Sequence, residues 1–122
     1  MAKKILIADD EAEIIFLLKR RLIKSGYEVL DADNGAKAVM IAERDRPDLI
    51  ILDVMMPEMN GVQICRRLKS NPAYQAIKII LLTARDQQKD KDIGKEAGAD
   101  DYVTKPFEPD DLIKKVKDFV GQ

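Results

Sequence analysis

Apolar residues in this chain come in short continuous runs separated by longer stretches with helical spacing. The densest run is Leu49-Ile50-Ile51-Leu52, which leads directly into Asp53. A half-exposed strand would alternate, so this run predicts a strand buried on both faces, spanning Asp48 to Leu52. Similar strands are predicted at Ile5–Ala8, Tyr27–Leu30 and Ile77–Leu82, the last ending in Thr83-Ala84. A very short one is predicted at Asp101–Val103. Between them the period changes. Ile14, Leu18 and Leu22 recur at i+4. Ala36, Val39, Met40 and Ala42 share a side, and a third helix is expected over Val62–Leu68. A fourth helix, Asp86–Ala97, has a thin stripe made of little more than Ile93 and Ala97. A fifth carries Leu112, Ile113, Val116, Phe119 and Val120 on one face. The boundaries are chemically marked. Ser25-Gly26 ends the first helix, Asn34 caps the second and Arg46-Pro47 stops it. Pro57 to Gly61 is a turn, Asn71-Pro72 opens a connecting segment, Gly98 closes the fourth helix and Glu108-Pro109 opens the fifth.

Strand and helix thus alternate five times, at about 24 residues per unit. Such alternation predicts an α/β fold with a parallel sheet covered by helices on both faces. For five strands the common open arrangement is the flavodoxin-like, doubly wound (βα)5 sheet of order 2-1-3-4-5.

Composition narrows the class. The 122 residues suit a single domain, 1–122, long enough to bury its own core. With 46% hydrophobic and 35% charged residues, the chain reads as a soluble globular protein. Its 21 Lys and Arg balance 22 Asp and Glu, a net charge of -1 that provides no general pull toward nucleic acid or an anionic membrane. Lys19-Arg20-Arg21 reads as the solvated face of a helix. The single cysteine, Cys65, allows no internal disulfide. Among Val62, Ile64 and Leu68 it reads as a small buried apolar residue. The absence of histidine removes Ser-His and Cys-His catalysis. No signal peptide or membrane-length apolar run is visible, so a reducing, cytoplasmic location is expected.

The topology gives the acids a meaning. Ligands of open parallel sheets bind beyond the carboxyl ends of the strands, where the strand order reverses. With order 2-1-3-4-5 that point lies between strands one and three. Strand one ends in Asp9-Asp10 and strand three in Asp53, while strand four contributes Thr83 and strand five leads into Thr104-Lys105-Pro106. An isolated Asp at a loop start is ordinarily a cap. Three acids on one rim are different: they repel one another and need a cation. Oxygen ligands suit Mg²⁺, with Mn²⁺ as a second candidate. A lysine and a hydroxyl beside such a site suit a phosphoryl group. Asp53 would then be the nucleophile, Lys105 a point charge and Thr83 a hydrogen-bond donor.

At this point the chain resembles a known family, the receiver domain of two-component response regulators, including the stand-alone chemotaxis type. The resemblance covers residues 3 to 120. It rests on Ala8-Asp9-Asp10-Glu11, on Leu52 to Gly61 (Asp53 followed by Val54-Met55-Met56-Pro57), on Leu82-Thr83-Ala84, and on Gly98 to Phe107. It implies that Asp53 is the phosphoacceptor, and that Asp9, Asp10, Asp53 and the Met55 backbone carbonyl hold the metal. Thr83, Ala84 and Lys105 would contact phosphate, Thr83 and Tyr102 would form a switch pair, and the Lys105–Pro106 bond would be cis. Met55 and Arg85 occupy variable positions that tune phosphate loss. The apolar Met55 side chain cannot orient a water, which implies a long-lived phosphoryl state.

The implied function is that of a signalling switch rather than an enzyme. Its donor is a histidine kinase or histidine phosphotransfer protein, since this chain has no histidine. Phosphorylation would move the face made by the fourth helix, fifth strand and fifth helix. The partner there would be a downstream protein, an output domain outside this sequence, or a second copy paired through Asp100, Asp101 and the helix-five lysines Lys114, Lys115 and Lys117. Three other readings compete. An aspartate-nucleophile phosphatase needs a second acid two residues after the nucleophile, where Met55 stands. A flavin module needs a small-residue phosphate loop where Asp9-Asp10-Glu11 would repel the phosphate. A receiver-like module that is never phosphorylated would not need the intact acids and lysine.

Overall fold

A computed structural model describes residues 2–84, 92, 93 and 95–121. The strands are β1 (Lys4–Ala8), β2 (Glu28–Ala32), β3 (Leu49–Asp53), β4 (Lys78–Ala84) and β5 (Asp101–Lys105). They form one parallel sheet of order β2-β1-β3-β4-β5. The fold is therefore the flavodoxin-like sheet expected from the sequence. Four helices have defined bounds: α1 (Ala12–Lys24), α2 (Gly35–Asp45), α3 (Gly61–Lys69) and α4 (Pro109–Val120), the last being the fifth helix expected from the sequence. Of the expected helix at Asp86–Ala97, only Asp92, Ile93, Lys95 and Glu96 are described as helical. Arg85 lies outside the described residues.

The apolar run of β3 is buried at every position because it serves two cores. Ile50 and Leu52 join Leu6, Ile79 and Leu81 on the side covered by α2 and α3. Leu49 and Ile51 join Ile5, Ile7, Ile80 and Leu82 on the side of α1 and α4. This is the strand period of two, seen from the middle of a three-layer structure. Ile93 and Ala97, the thin stripe of the expected fourth helix, pack on the first core.

The starts of β1, β3 and β4 and the end of β3 lie one residue from the sequence expectation, and β2 and β5 depart from it further. β2 runs from Glu28 to Ala32, where Tyr27–Leu30 was expected. It is an edge strand, so Asp31 can remain in the ladder while its carboxylate pairs with Lys19 at 2.9 Å. Tyr27 precedes the strand, and its hydroxyl donates to Gly121 O at 2.8 Å. β5 extends past Val103 to Lys105, held by register pairing of Thr83 with Thr104 and Ala84 with Lys105. The helix caps follow local chemistry. Asn34 Oδ1 accepts from Lys37 N at 2.9 Å. Asn60 and Gln63 form a reciprocal capping box that starts α3 directly after the turn. Among the described residues no helix is long and apolar enough to cross a membrane.

Candidate functional site

The site is built where β1, β3 and β5 end. Asp9 follows β1 and is fully buried. Its N–H donates to Ala32 O at 3.1 Å, which carries the β1–β2 ladder one residue beyond the strand. Its Oδ1 accepts from Glu11 N at 2.8 Å. Asp10, between them, is exposed. Asp53 ends β3 with only 4% of its surface accessible. The next N–H, from Val54, donates to Leu82 O at 2.9 Å, so the ladder with β4 stays closed around the acid. Met55 N–H donates to Asp53 Oδ1 at 3.3 Å, while the Met55 side chain is 69% exposed. One carboxylate oxygen from each of Asp9, Asp10 and Asp53 lies within 4.8 Å of the other two.

Lys105 reaches into this cluster from the end of β5. Its Nζ lies 2.9 Å from Asp9 Oδ2 and 3.4 Å from Asp53 Oδ2, and it donates to Glu11 Oε1 at 3.1 Å. The Lys105–Pro106 bond is cis, as the resemblance implied. Glu11 had no assigned role from the sequence. The continuous Asp9-Asp10-Glu11 run was the signal that could have found it.

The charges do not cancel. Burial strips water from Asp53 and the Asp9 carboxylate opposes its ionisation. Lys105 and the Met55 N–H pull the other way, and the net result raises Asp53 to about 6. Burial alone would lower Lys105, but contacts with Asp9, Asp53 and Glu11 outweigh it and hold the ammonium above its usual value. Asp9 Oδ2 is buried, and the group that faces it is the Lys105 ammonium 2.9 Å away. An all-oxygen set of three carboxylates, whose charge a single lysine does not balance, fits a hard divalent cation such as Mg²⁺ or Mn²⁺.

Two glycines make this packing feasible. A Cβ on Gly61 would lie 2.4 Å from Asp53 O, and one on Gly35 would lie 2.0 Å from Met59 O. Gly61 N also donates to Val54 O at 2.9 Å, and Gly35 N to Pro57 O at 3.1 Å. The loop after Asp53 is thus clasped by the first residues of α3 and α2.

The other expected site residues lie on the neighbouring strands. Thr83 is fully buried at the end of β4, and Ala84 follows it opposite Lys105. Tyr102 does not join the charged cluster. It is half-buried, sits opposite Leu81 and packs on the core beneath α2 and α3. By strand alternation Thr83 and Tyr102 fall on the same side of the sheet as Ile79 and Leu81, which belong to that core. Cys65 is buried as expected, and burial pushes its thiol up to about 11.

Comparison with known proteins agrees with this geometry. The family model described as the response regulator receiver domain matches residues 5–117. The alkaline phosphatase synthesis transcriptional regulatory protein PhoP of Bacillus subtilis (strain 168) is 46% identical over 117 residues. The match takes in 96% of this chain and 48% of PhoP, so the chain spans about half the length of that curated relative. Among solved structures, the signal receiver domain of a signal transduction histidine kinase from Syntrophus aciditrophicus is 41% identical with a TM-score of 0.90, covering 98% of this chain and 90% of that one. The chemotaxis protein CheY4 of Vibrio cholerae is 32% identical with a TM-score of 0.91, covering 98% and 100%. The family match over most of the length, together with the acid cluster and its lysine at the strand ends, makes this chain a member of the response regulator receiver domain family of two-component signalling.

Proposed function

We propose that Asp53 accepts a phosphoryl group from a phosphohistidine of a histidine kinase or histidine phosphotransfer protein, in the cytoplasm, and that the phosphorylated chain is the active state of a switch. The observation that carries this reading is a nearly buried carboxylate with a lysine 3.4 Å away and two further acids beside it. A structural cap would not need a half-buried cation facing a buried acid pair. In the transfer, a P–O bond forms to Asp53 as the P–N bond of the donor breaks. The departing imidazole keeps the electron pair and takes up a proton. Asp53 must be ionised to attack, and Lys105 favours that form. Mg²⁺ held by Asp9, Asp10, Asp53 and the Met55 backbone carbonyl would supply counter-charge for the acids and the phosphoryl oxygens. Lys105, the Thr83 hydroxyl and the Ala84 N–H then contact the phosphoryl group.

Output runs through Thr83 and Tyr102. Both lie on the sheet side that also carries Ile93 and Ala97, so a shift of Thr83 toward the phosphate has a direct packing route to the segment before β5. The surface that changes is the one formed by that segment, β5 and α4. A phosphorylation-dependent homodimer through it must exchange a charge pair, because Lys115 Nζ already pairs with Asp101 Oδ2 of its own chain at 2.8 Å. Light scattering with and without a beryllofluoride mimic tests this; a monomer in both states removes the dimer.

The central test is labelling with a small acyl-phosphate donor and Mg²⁺. The wild type takes up one phosphoryl group, and Asp53→Asn takes up none. Retained labelling of the variant refutes Asp53 as acceptor. Removal of divalent metal by chelation abolishes labelling, and unchanged labelling refutes the metal's part.

A further inference from the structure

The switch leaves one cluster of charge unexplained. The basic run Lys19-Arg20-Arg21, read from the sequence as a solvated face, is not evenly solvated. Lys19 turns to Asp31 on β2. Arg20 and Arg21 instead border an open groove of about 970 Å³ between α1 and α4. Phe16, Leu17 and Ile113 give it an apolar lining. Phe16 is 64% exposed and Leu17 beside it 38%, so the two form a small exposed apolar patch on α1. The Arg20 guanidinium sits 5.7 Å from the centre of its ring.

Around this lining stand five cations, Arg20, Arg21, Lys24, Lys114 and Lys117, against a single acid, Asp110, which is already paired with Arg21. In a chain with net charge -1 this is a marked local excess. The spacing is regular. Phe16, Arg20 and Lys24 follow one another at i+4 on α1, and Ile113 and Lys117 do so on α4.

We propose that this groove docks an acidic amphipathic helix of a partner protein, with its apolar stripe on Phe16, Leu17 and Ile113 and its Asp or Glu residues facing the cations on both walls. Two helices side by side offer a third one a ridge-lined seat. From Phe16 to Ser25 the groove runs about 14 Å along α1, room for roughly ten helical residues. A second copy of this chain fits poorly. None of the four helices has more acids than cations: α1 has one acid against four cations, α2 two against two, α3 none against three, and α4 three against three. The groove also runs toward Ser25, at the end of the sheet opposite Asp53, so the partner can dock without covering the acid cluster.

The test uses a labelled ten-residue probe, held helical by a side-chain cross-link on its outer face, with Leu at i, i+3, i+4 and i+7 and Glu at the other positions, followed by amide chemical-shift mapping and fluorescence anisotropy. The same probe with Lys for Glu and a single-stranded DNA oligomer serve as controls. Saturable shifts centred on Phe16, Leu17 and Ile113 are expected for the acidic probe alone, together with a loss of tenfold or more in affinity in Arg20→Glu/Lys117→Glu. Phe16→Ser, at an exposed position that leaves the fold intact, weakens binding as well. Asp53→Asn binds as the wild type does, which separates this surface from the phosphoryl site. Absence of shifts at the groove, equal binding of the basic probe, preference for DNA, or self-association through this face by light scattering would each overturn the proposal.

Discussion

Asp53→Asn separates the electrostatic cost of the site from its function. Asp53 is 4% exposed, and burial with the Asp9 charge raises its carboxyl to about 6, where 3.8 is ordinary. Below about pH 4 both the folded and the unfolded chain carry a protonated Asp53, and the acid costs nothing. Between 3.8 and about 6 the unfolded chain loses the proton while the folded chain keeps it, so the wild type loses stability as the pH rises. Above that window the deficit is constant, and the pKa difference makes it about 3 kcal/mol at most. Asparagine keeps the shape and removes the charge. The variant should therefore match the wild type near pH 4 and exceed it by about 2–3 kcal/mol at pH 7.5 in metal-free buffer. Urea unfolding at both values, with chelator present, measures the difference. Millimolar Mg²⁺ should then stabilise the wild type by mass action and close part of the gap, because the variant has lost one ligand. A difference that does not change between pH 4 and 7.5, or a less stable variant at pH 7.5, refutes the assignment of strain to Asp53.

The remaining expectations concern its neighbours. Lys105→Met leaves Asp9 and Asp53 without their cation and should lower stability at pH 7.5 by about 2 kcal/mol, with partial recovery in Mg²⁺; an unchanged denaturation midpoint refutes its role in charge balance. Gly61→Ala drives a methyl against Asp53 O and should cost about 2 kcal/mol and slow acyl-phosphate labelling, whereas wild-type labelling would mean the loop absorbs the methyl freely. Asn60→Ala breaks the α3 capping box and should cost about 1 kcal/mol while leaving labelling intact; thermal unfolding and a labelling assay check both parts. Met55→Asn supplies a polar side chain near the phosphoryl group and should speed phosphate loss, and equal or slower loss refutes Met55 as the cause of a long-lived state.

Most of the architecture was legible because it rests on local rules. The run Leu49–Leu52 has no polar face, so it had to be a central strand with cover on both sides. Gly26, with φ at 96°, ended α1 where the sequence indicated. Strand ends were harder to read. Asp31 lies just beyond the strand expected at Tyr27–Leu30, but an edge strand with Lys19 nearby holds it in the ladder. Lys105 looked like loop, but pairing with Ala84 keeps it in β5.

The sequence alone determined which residues could carry the chemistry: three acids, a lysine and a threonine, each within two residues of the end of a predicted strand. Strand period and helix period are local properties, and together they left few ways to stack the layers. Only the tertiary structure decided which carboxylate bears the strain. Burial, the Asp9 charge and the reach of Lys105 are sums over atoms from three strands, and they converge on Asp53. Glu11 entered the site the same way, through a lysine 94 residues further along. So did the basic groove, which needs α1 and α4 side by side before scattered arginines and lysines become a surface.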